Sequence, residues 1–204
     1  ASDVYKRQAL MRTALTALGA RFEPLSDGGL RVHPMPVGEP LAGDVAVDCG
    51  LAGTVMRFVP FVAALRPGRV RFDGDAGARL RPMAPVLDAL RQLGVAVVEE
   101  GEPGRLPFTM TTRADAATVA PDGDVPEVAV DASGSSQFLS AALLAAAGMP
   151  RSLRLRHTGE TVPSPEHVAM TVGVLRALEV DVAETGPGAW TAAPGRGPAH
   201  EAGV

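Results

Sequence analysis

Ser133, Ser135, Ser136 and Gln137 crowd into the stretch VDASGSSQFLSAALLAAA, residues 130 to 147, just ahead of an almost unbroken apolar run. The first N–H groups of a helix have no intrahelical acceptors, and small side chains let a ligand approach them. An anion suits such a place. One serine acting as a helix cap would account for Ser135 or Ser136 equally well, since serine is a favoured N-cap residue. Two serines and a glutamine exceed that need. Gln137 also brings two donors and an acceptor that a buried helix would otherwise have to satisfy internally.

Three further helix starts carry similar groups. GLAGTVMRF, residues 50 to 58, places Gly53 and Thr54 at a helix start and Arg57 one turn inside. Gly53 would let a ligand touch the backbone, although a turn glycine followed by a threonine cap explains the pair as well. In GARLRPM, Arg79 and Arg81 precede Pro82, which suits the first position of a helix. Cations there oppose the helix dipole, so they are either solvated surface charges or the holders of an anion. In TVPSPEHV, Ser164 before Pro165 reads as a cap and helix start, with His167 in the first turn. His33, His157 and His200 join no constellation, and no histidine or carboxylate is spaced for a metal site. Together the four helix starts suggest one shared anionic ligand, and spacing does not say which.

The elements that would hold these groups repeat along the chain. MRTALTALGARFEP (11 to 24), PVLDALRQLGVAVVEE (85 to 100) and MTVGVLRALEVDVAET (170 to 185) each read as an amphipathic helix running into a strand. VAVDCGLAGTVMRFVPFVAAL (45 to 65) and VAVDASGSSQFLSAALLAAA (128 to 147) each read as a strand, an aspartate, a small polar turn and an apolar helix. Alternating arginine-bearing strands follow both, VRF at 70 to 72 and LRLRH at 153 to 157. The repeating unit is therefore βαβαββ, in an α+β fold. It is expected twice in full, at residues 45–111 and 126–194, and once in part at residues 9–34. The helix at 136 to 147 is apolar nearly all round, which predicts buried helices inside outer sheets.

A chain of 204 residues with 46% hydrophobic and 21% charged residues can bury a sizeable core. With 23 glycines and 18 prolines it favours short elements joined by tight turns over a long-helix bundle. A formal net charge of −4 gives no general pull toward nucleic acid or an anionic membrane. Cys49 is the one cysteine, so no internal disulfide or cysteine-rich zinc site is expected. No signal peptide and no long apolar run is found, and the cytoplasm is the expected location. The opening ASDVYKRQ holds the single lysine, Lys6, and the single tyrosine, Tyr5. That break in composition marks residues 1–8 as an expected non-native segment, and residues 195–204 read as the start of a continuation cut short.

AGTVMR, RLRPM with DALRQLG, DASGSSQFLSAALLAA and PSPEHVAMT, in this order, resemble the motifs of the 5-enolpyruvylshikimate-3-phosphate (EPSP) synthase family, especially its actinobacterial form. The resemblance spans about residues 9 to 194, and SSQFLSA is its most diagnostic part. It implies an enolpyruvyl transferase-like, inside-out barrel. It also implies transfer of the carboxyvinyl group of phosphoenolpyruvate to the 5-hydroxyl of shikimate 3-phosphate, without a cofactor. By motif, Ser135, Ser136, Gln137, Ser164 and His167 fall at positions that hold shikimate 3-phosphate, His167 standing where many relatives carry tyrosine. Gly53, Arg81 and Gln137 fall around phosphoenolpyruvate. Leu51 stands where many relatives have asparagine near the phosphoenolpyruvate pocket, a departure that bears on inhibitor or substrate contacts and that the actinobacterial-like form is expected to tolerate. The family's N-terminal Lys-Ser motif and its second domain, to which proton transfer is credited, have no counterpart in the sequence. The resemblance therefore implies half a cleft, inactive alone. Two other readings stay open beside it: a UDP-N-acetylglucosamine enolpyruvyl transferase, and a non-catalytic phosphate-ester-binding pseudo-domain.

Overall fold

The computed structural model of the chain describes residues 3–114 and 125–195. The first two residues of the expected non-native segment, the tail from residue 196 and His200 lie outside the described residues.

Helix α1 (Asp3–Ala17) leads into a two-stranded antiparallel hairpin, β1 (Arg21–Pro24) and β2 (Leu30–His33). α1 begins six residues ahead of the expected start at residue 9, because nothing between Asp3 and Gln8 is a glycine or proline that would break it. The next unit runs β3 (Val45–Asp48), α2 (Gly53–Ala63), β4 (Gly68–Asp73), a short α3 (Ala76–Arg79), α4 (Ala84–Gln92), β5 (Ala96–Glu99) and β6 (Phe108–Thr112). The last runs β7 (Glu127–Val130), α5 (Gln137–Ala146), β8 (Leu153–His157), α6 (Pro165–Ala177), β9 (Val182–Gly186) and β10 (Ala189–Ala192).

The two four-stranded sheets have the same topology. One is ordered β3-β4-β6-β5 and the other β7-β8-β10-β9, each with a parallel first pair bridged by a buried helix and antiparallel partners beyond. The repeated βαβαββ unit is thus present twice in full, with α1, β1 and β2 as the partial copy. Only α3 has no counterpart in the second full unit.

Alternation in the strands fixes which face is outside. In β4, Val70 and Phe72 are buried while Arg69 and Arg71 point to water; in β8, Leu153 and Leu155 are buried while Arg154 and Arg156 are exposed. The outward arginines meet carboxylates nearby, Arg71 with Glu100 and Arg156 with Glu127. Helices α2 and α5 pack against each other between the sheets. Phe138, Leu139, Leu143 and four alanines of α5 are buried, and one continuous core spans all units. Helices therefore lie inside and sheets outside, and no barrel closes among the described residues.

One expected helix start is displaced. Pro82 does not open α4; the helix begins at Ala84 with Pro85 in its first turn. The reason is Met83, which is fully buried and gives its N–H to the Gly104 carbonyl at 2.8 Å, so helical geometry starts after it.

Candidate functional site

Asp48 and Asp131 each end the first strand of their unit and do the same local work. The Asp48 carboxylate accepts the Gly50 N–H at 2.9 Å, and the Asp131 carboxylate accepts the Ser133 N–H at 2.9 Å. These Asx turns swing the chain from strand to buried helix, which is why the aspartate recurs in both copies. His157 supports the second turn from behind, its Nδ1 accepting the Ala132 N–H at 3.2 Å.

Neither serine caps α5 by the simple route. Ser136 is the N-cap residue, 5% exposed, and its side chain makes no cap bond. Ser135 does more: its hydroxyl oxygen accepts the Gln137 backbone N–H at 3.3 Å and Arg57 Nη1 at 3.2 Å. Arg57 also donates from Nη1 to Gln137 Oε1 at 2.9 Å, and its guanidinium carbon lies 5.0 Å from the Phe138 ring centroid. The turn before α5 and the first turns of α2, in different units, are thereby joined.

Gly53 stands beside this cluster. A Cβ placed on it would come within 3.2 Å of Arg81 Nη1 and 3.9 Å of Gln137 Oε1. Gly53, Arg81 and Gln137, three separate segments of sequence, therefore share one small region. Arg81 donates to the Leu51 carbonyl at 3.0 Å. Because that contact is to backbone, having leucine at position 51 does not disturb it, and the leucine side chain is exposed.

The two arginines preceding Pro82 have separate duties. Arg79 forms two bonds to the Asp73 carboxylate, both at 2.9 Å, so it is not free to hold a ligand. Among the described residues neither Arg57 nor Arg81 has a carboxylate partner. Burial, and after it the charge of Arg81, lowers the Arg57 pKa from its ordinary value. Two uncompensated cations side by side invite an anion.

A groove of about 380 Å³ runs from this cluster between α5 and α6, with Ser136, Gln137 and His167 on its wall and Met170 and Val174 further along. The Thr171 hydroxyl ties its two sides, lying 2.9 Å from Ser140 Oγ and 2.9 Å from the His167 carbonyl. Ser164 stands apart from the hydrogen-bonded cluster. It is the exposed N-cap residue of α6, in left-handed geometry with φ 52°, and its side chain makes no cap bond. Arg57, which the sequence places one turn inside a helix start without a ligand role, stands at the centre of this cluster. Among the described residues no group of His, Cys, Asp and Glu could hold a metal, and no helix is long and apolar enough to cross a membrane.

Repeated βαβαββ units with helices inside, and an anion-receptive cluster at the seam of two of them, define an enolpyruvyl transferase-like domain. The same fold is found in an EPSP synthase structure from Acinetobacter baumannii, with a TM-score of 0.64 over 90% of this chain and 38% of that one, at 22% identity. A family model described as EPSP synthase (3-phosphoshikimate 1-carboxyvinyltransferase) matches residues 7–203. The chain belongs to that family. It is 51% identical over 195 residues to a 3-phosphoshikimate 1-carboxyvinyltransferase of Kocuria rhizophila, covering 92% of this chain and 42% of the relative. A Bifidobacterium longum protein of the same name is 48% identical over 182 residues, covering 84% of this chain and 39% of the relative. The chain thus spans about two fifths of the length of the curated relatives it matches.

Proposed function

We propose that this chain is the shikimate-phosphate-binding part of an enzyme that transfers the carboxyvinyl group of phosphoenolpyruvate to the 5-hydroxyl of shikimate 3-phosphate, releasing phosphate. Its substrate-binding region is the partial unit 9–34 with the full units 45–111 and 126–194. Ser135, Ser136, Gln137, Ser164 and His167 serve shikimate 3-phosphate, and Gly53, Arg81 and Gln137 serve phosphoenolpyruvate. The carrying observation is the convergence of Gly53, Arg57, Arg81, Ser135 and Gln137 at one seam, with two guanidinium groups that meet no carboxylate among the described residues.

Each group has a physical task in this reading. Guanidinium and hydroxyl donors hold ionised oxygens through charge-assisted bonds. Gly53 leaves room for a small anion against the backbone at the start of α2. The groove wall offers His167 and apolar surface to the ring of the sugar-like substrate. No acid or base is assigned among these residues, since proton transfer requires a partner positioned within hydrogen-bond reach. A second domain supplies that role, and the chain alone binds without turning over. Its substrates are soluble metabolites, and the cytoplasm is its place of work.

Calorimetry of the chain with shikimate 3-phosphate tests the reading. Weak binding is expected, reduced about tenfold or more by Ser136→Ala, while Arg81→Met should weaken phosphoenolpyruvate by a similar factor. Gly53→Ala, which crowds Arg81 Nη1 at 3.2 Å, should weaken phosphoenolpyruvate and leave the fold intact. Absence of heat with shikimate 3-phosphate, together with no effect of the variants on any ligand, would overturn it.

A further inference from the structure

We infer that Arg57 is a positioning residue that turns Ser135 and Gln137 into a donor-only face, and so selects a phosphoryl oxygen over a neutral hydroxyl. This rests on the functional reading above and assigns a role within that same site.

Arginine has no acceptor, so the Gln137 side-chain atom that meets Arg57 Nη1 at 2.9 Å must be the carbonyl oxygen. The Gln137 amide group is thereby fixed with its two N–H donors turned away from Arg57. Ser135 is constrained in the same way. Its hydroxyl oxygen already receives two hydrogens, from Arg57 Nη1 at 3.2 Å and from the Gln137 N–H at 3.3 Å. Both lone pairs are occupied, so the O–H can act only as a donor to a further group.

Arg57 is itself held for this work. Its guanidinium lies over the Phe138 ring at 5.0 Å, and its Nε is buried without a partner among the described residues. Phe138 is 1% exposed and belongs to the core, so the ring is a fixed support. Leaving a buried N–H unpaired carries a free-energy cost. That cost is consistent with a geometry set by the Nη1 contacts. A phosphoryl oxygen, ionised and acceptor-only, gains charge-assisted bonds from this face, whereas a hydroxyl can accept only the weaker neutral ones. Without Arg57 the Gln137 amide could rotate and offer its carbonyl instead.

The test uses the whole chain with three probes: shikimate 3-phosphate, shikimate and inorganic phosphate. Arg57→Met should weaken the two phosphate probes about 10- to 100-fold and shikimate little, because the hydrogen bonds lost are those to the phosphoryl group, which shikimate lacks. The decisive readout is a double-mutant cycle. In a Ser135→Ala, Gln137→Met background, Arg57→Met should cause no further loss, as it does when Arg57 acts through those two residues. Additive losses would show that Arg57 touches the ligand directly and would overturn the positioning role. If Arg57→Met fails to fold by circular dichroism, Arg57→Gln, whose amide can present an acceptor and so no longer fixes Gln137, replaces it in the same cycle with the same expectation. Phosphate esters bound equally by parent and variant sink this inference alone. Inorganic phosphate bound in an Arg57-dependent way without shikimate 3-phosphate binding sinks only the functional reading, and a parent that binds neither sinks both.

Discussion

Cys49 has no solvent exposure, and burial, with added repulsion from Asp48 and Asp73, raises its thiol from 9.0 to about 12. In the unfolded chain it ionises near 9.0, so between that pH and about 12 the folded state holds more protons. Its stabilising contribution is therefore complete below pH 9.0 and declines as pH rises through this window. Urea unfolding at about pH 8 and about pH 10.5 should show the parent losing about 2 kcal/mol more than Cys49→Ala, from ~1.4 kcal/mol per pH unit. Parallel losses in the two proteins would contradict the assignment. Single residues were unevenly legible in the sequence. Gly53, Arg81 and Gln137 could be singled out because each stands at a helix start, where backbone groups seek partners. Arg57 stood out only by its place one turn inside a helix start, with no role legible, since an arginine there has many possible uses and its partners Ser135 and Gln137 are remote in sequence. Arg79 and Arg81 looked alike until folding brought Asp73 against one and the Leu51 carbonyl against the other.

Elements join across units by side chains as well as by packing. Gln92, the last residue of α4, donates Nε2 to the Ala129 carbonyl at 2.9 Å and accepts the Ala129 N–H on Oε1 at 2.8 Å. One side-chain amide thus imitates a neighbouring strand along the free edge of β7, satisfying groups that would otherwise invite another chain. Gln92→Leu should cost about 1–2 kcal/mol for two lost bonds and speed hydrogen exchange at Ala129, with the sheet of β3 to β6 unchanged. Unaltered exchange at Ala129 would show that water serves equally well. The order and type of the elements were readable because strand alternation and helical spacing differ in period, as Val70 and Phe72 against Arg69 and Arg71 demonstrate. Boundaries were less so. Pro82 and Pro85 are both plausible first-turn residues, and the choice between them is made by Met83, whose burial and bond to Gly104 are tertiary facts.

The molecule as a whole is held by the contact of α2 with α5, which belongs to neither full unit alone. Leu139, fully buried on α5, lies in the core cluster that runs through all units. Leu139→Ala should cost about 2–5 kcal/mol. Loss monitored by Trp190 fluorescence, which reports on the second full unit, should coincide with loss of far-ultraviolet circular dichroism, which reports on the whole. Two separated transitions would mean that the units melt independently. The wiring of the seam also has a hereditary side. Residue 57 comes from one copy of the unit, residues 135 and 137 from the other, and a single guanidinium dictates what both of the latter present. Once twin copies depend on each other in this manner, neither can drift alone: lineages that exchange one of these three side chains should exchange its correspondents in the sister copy as well.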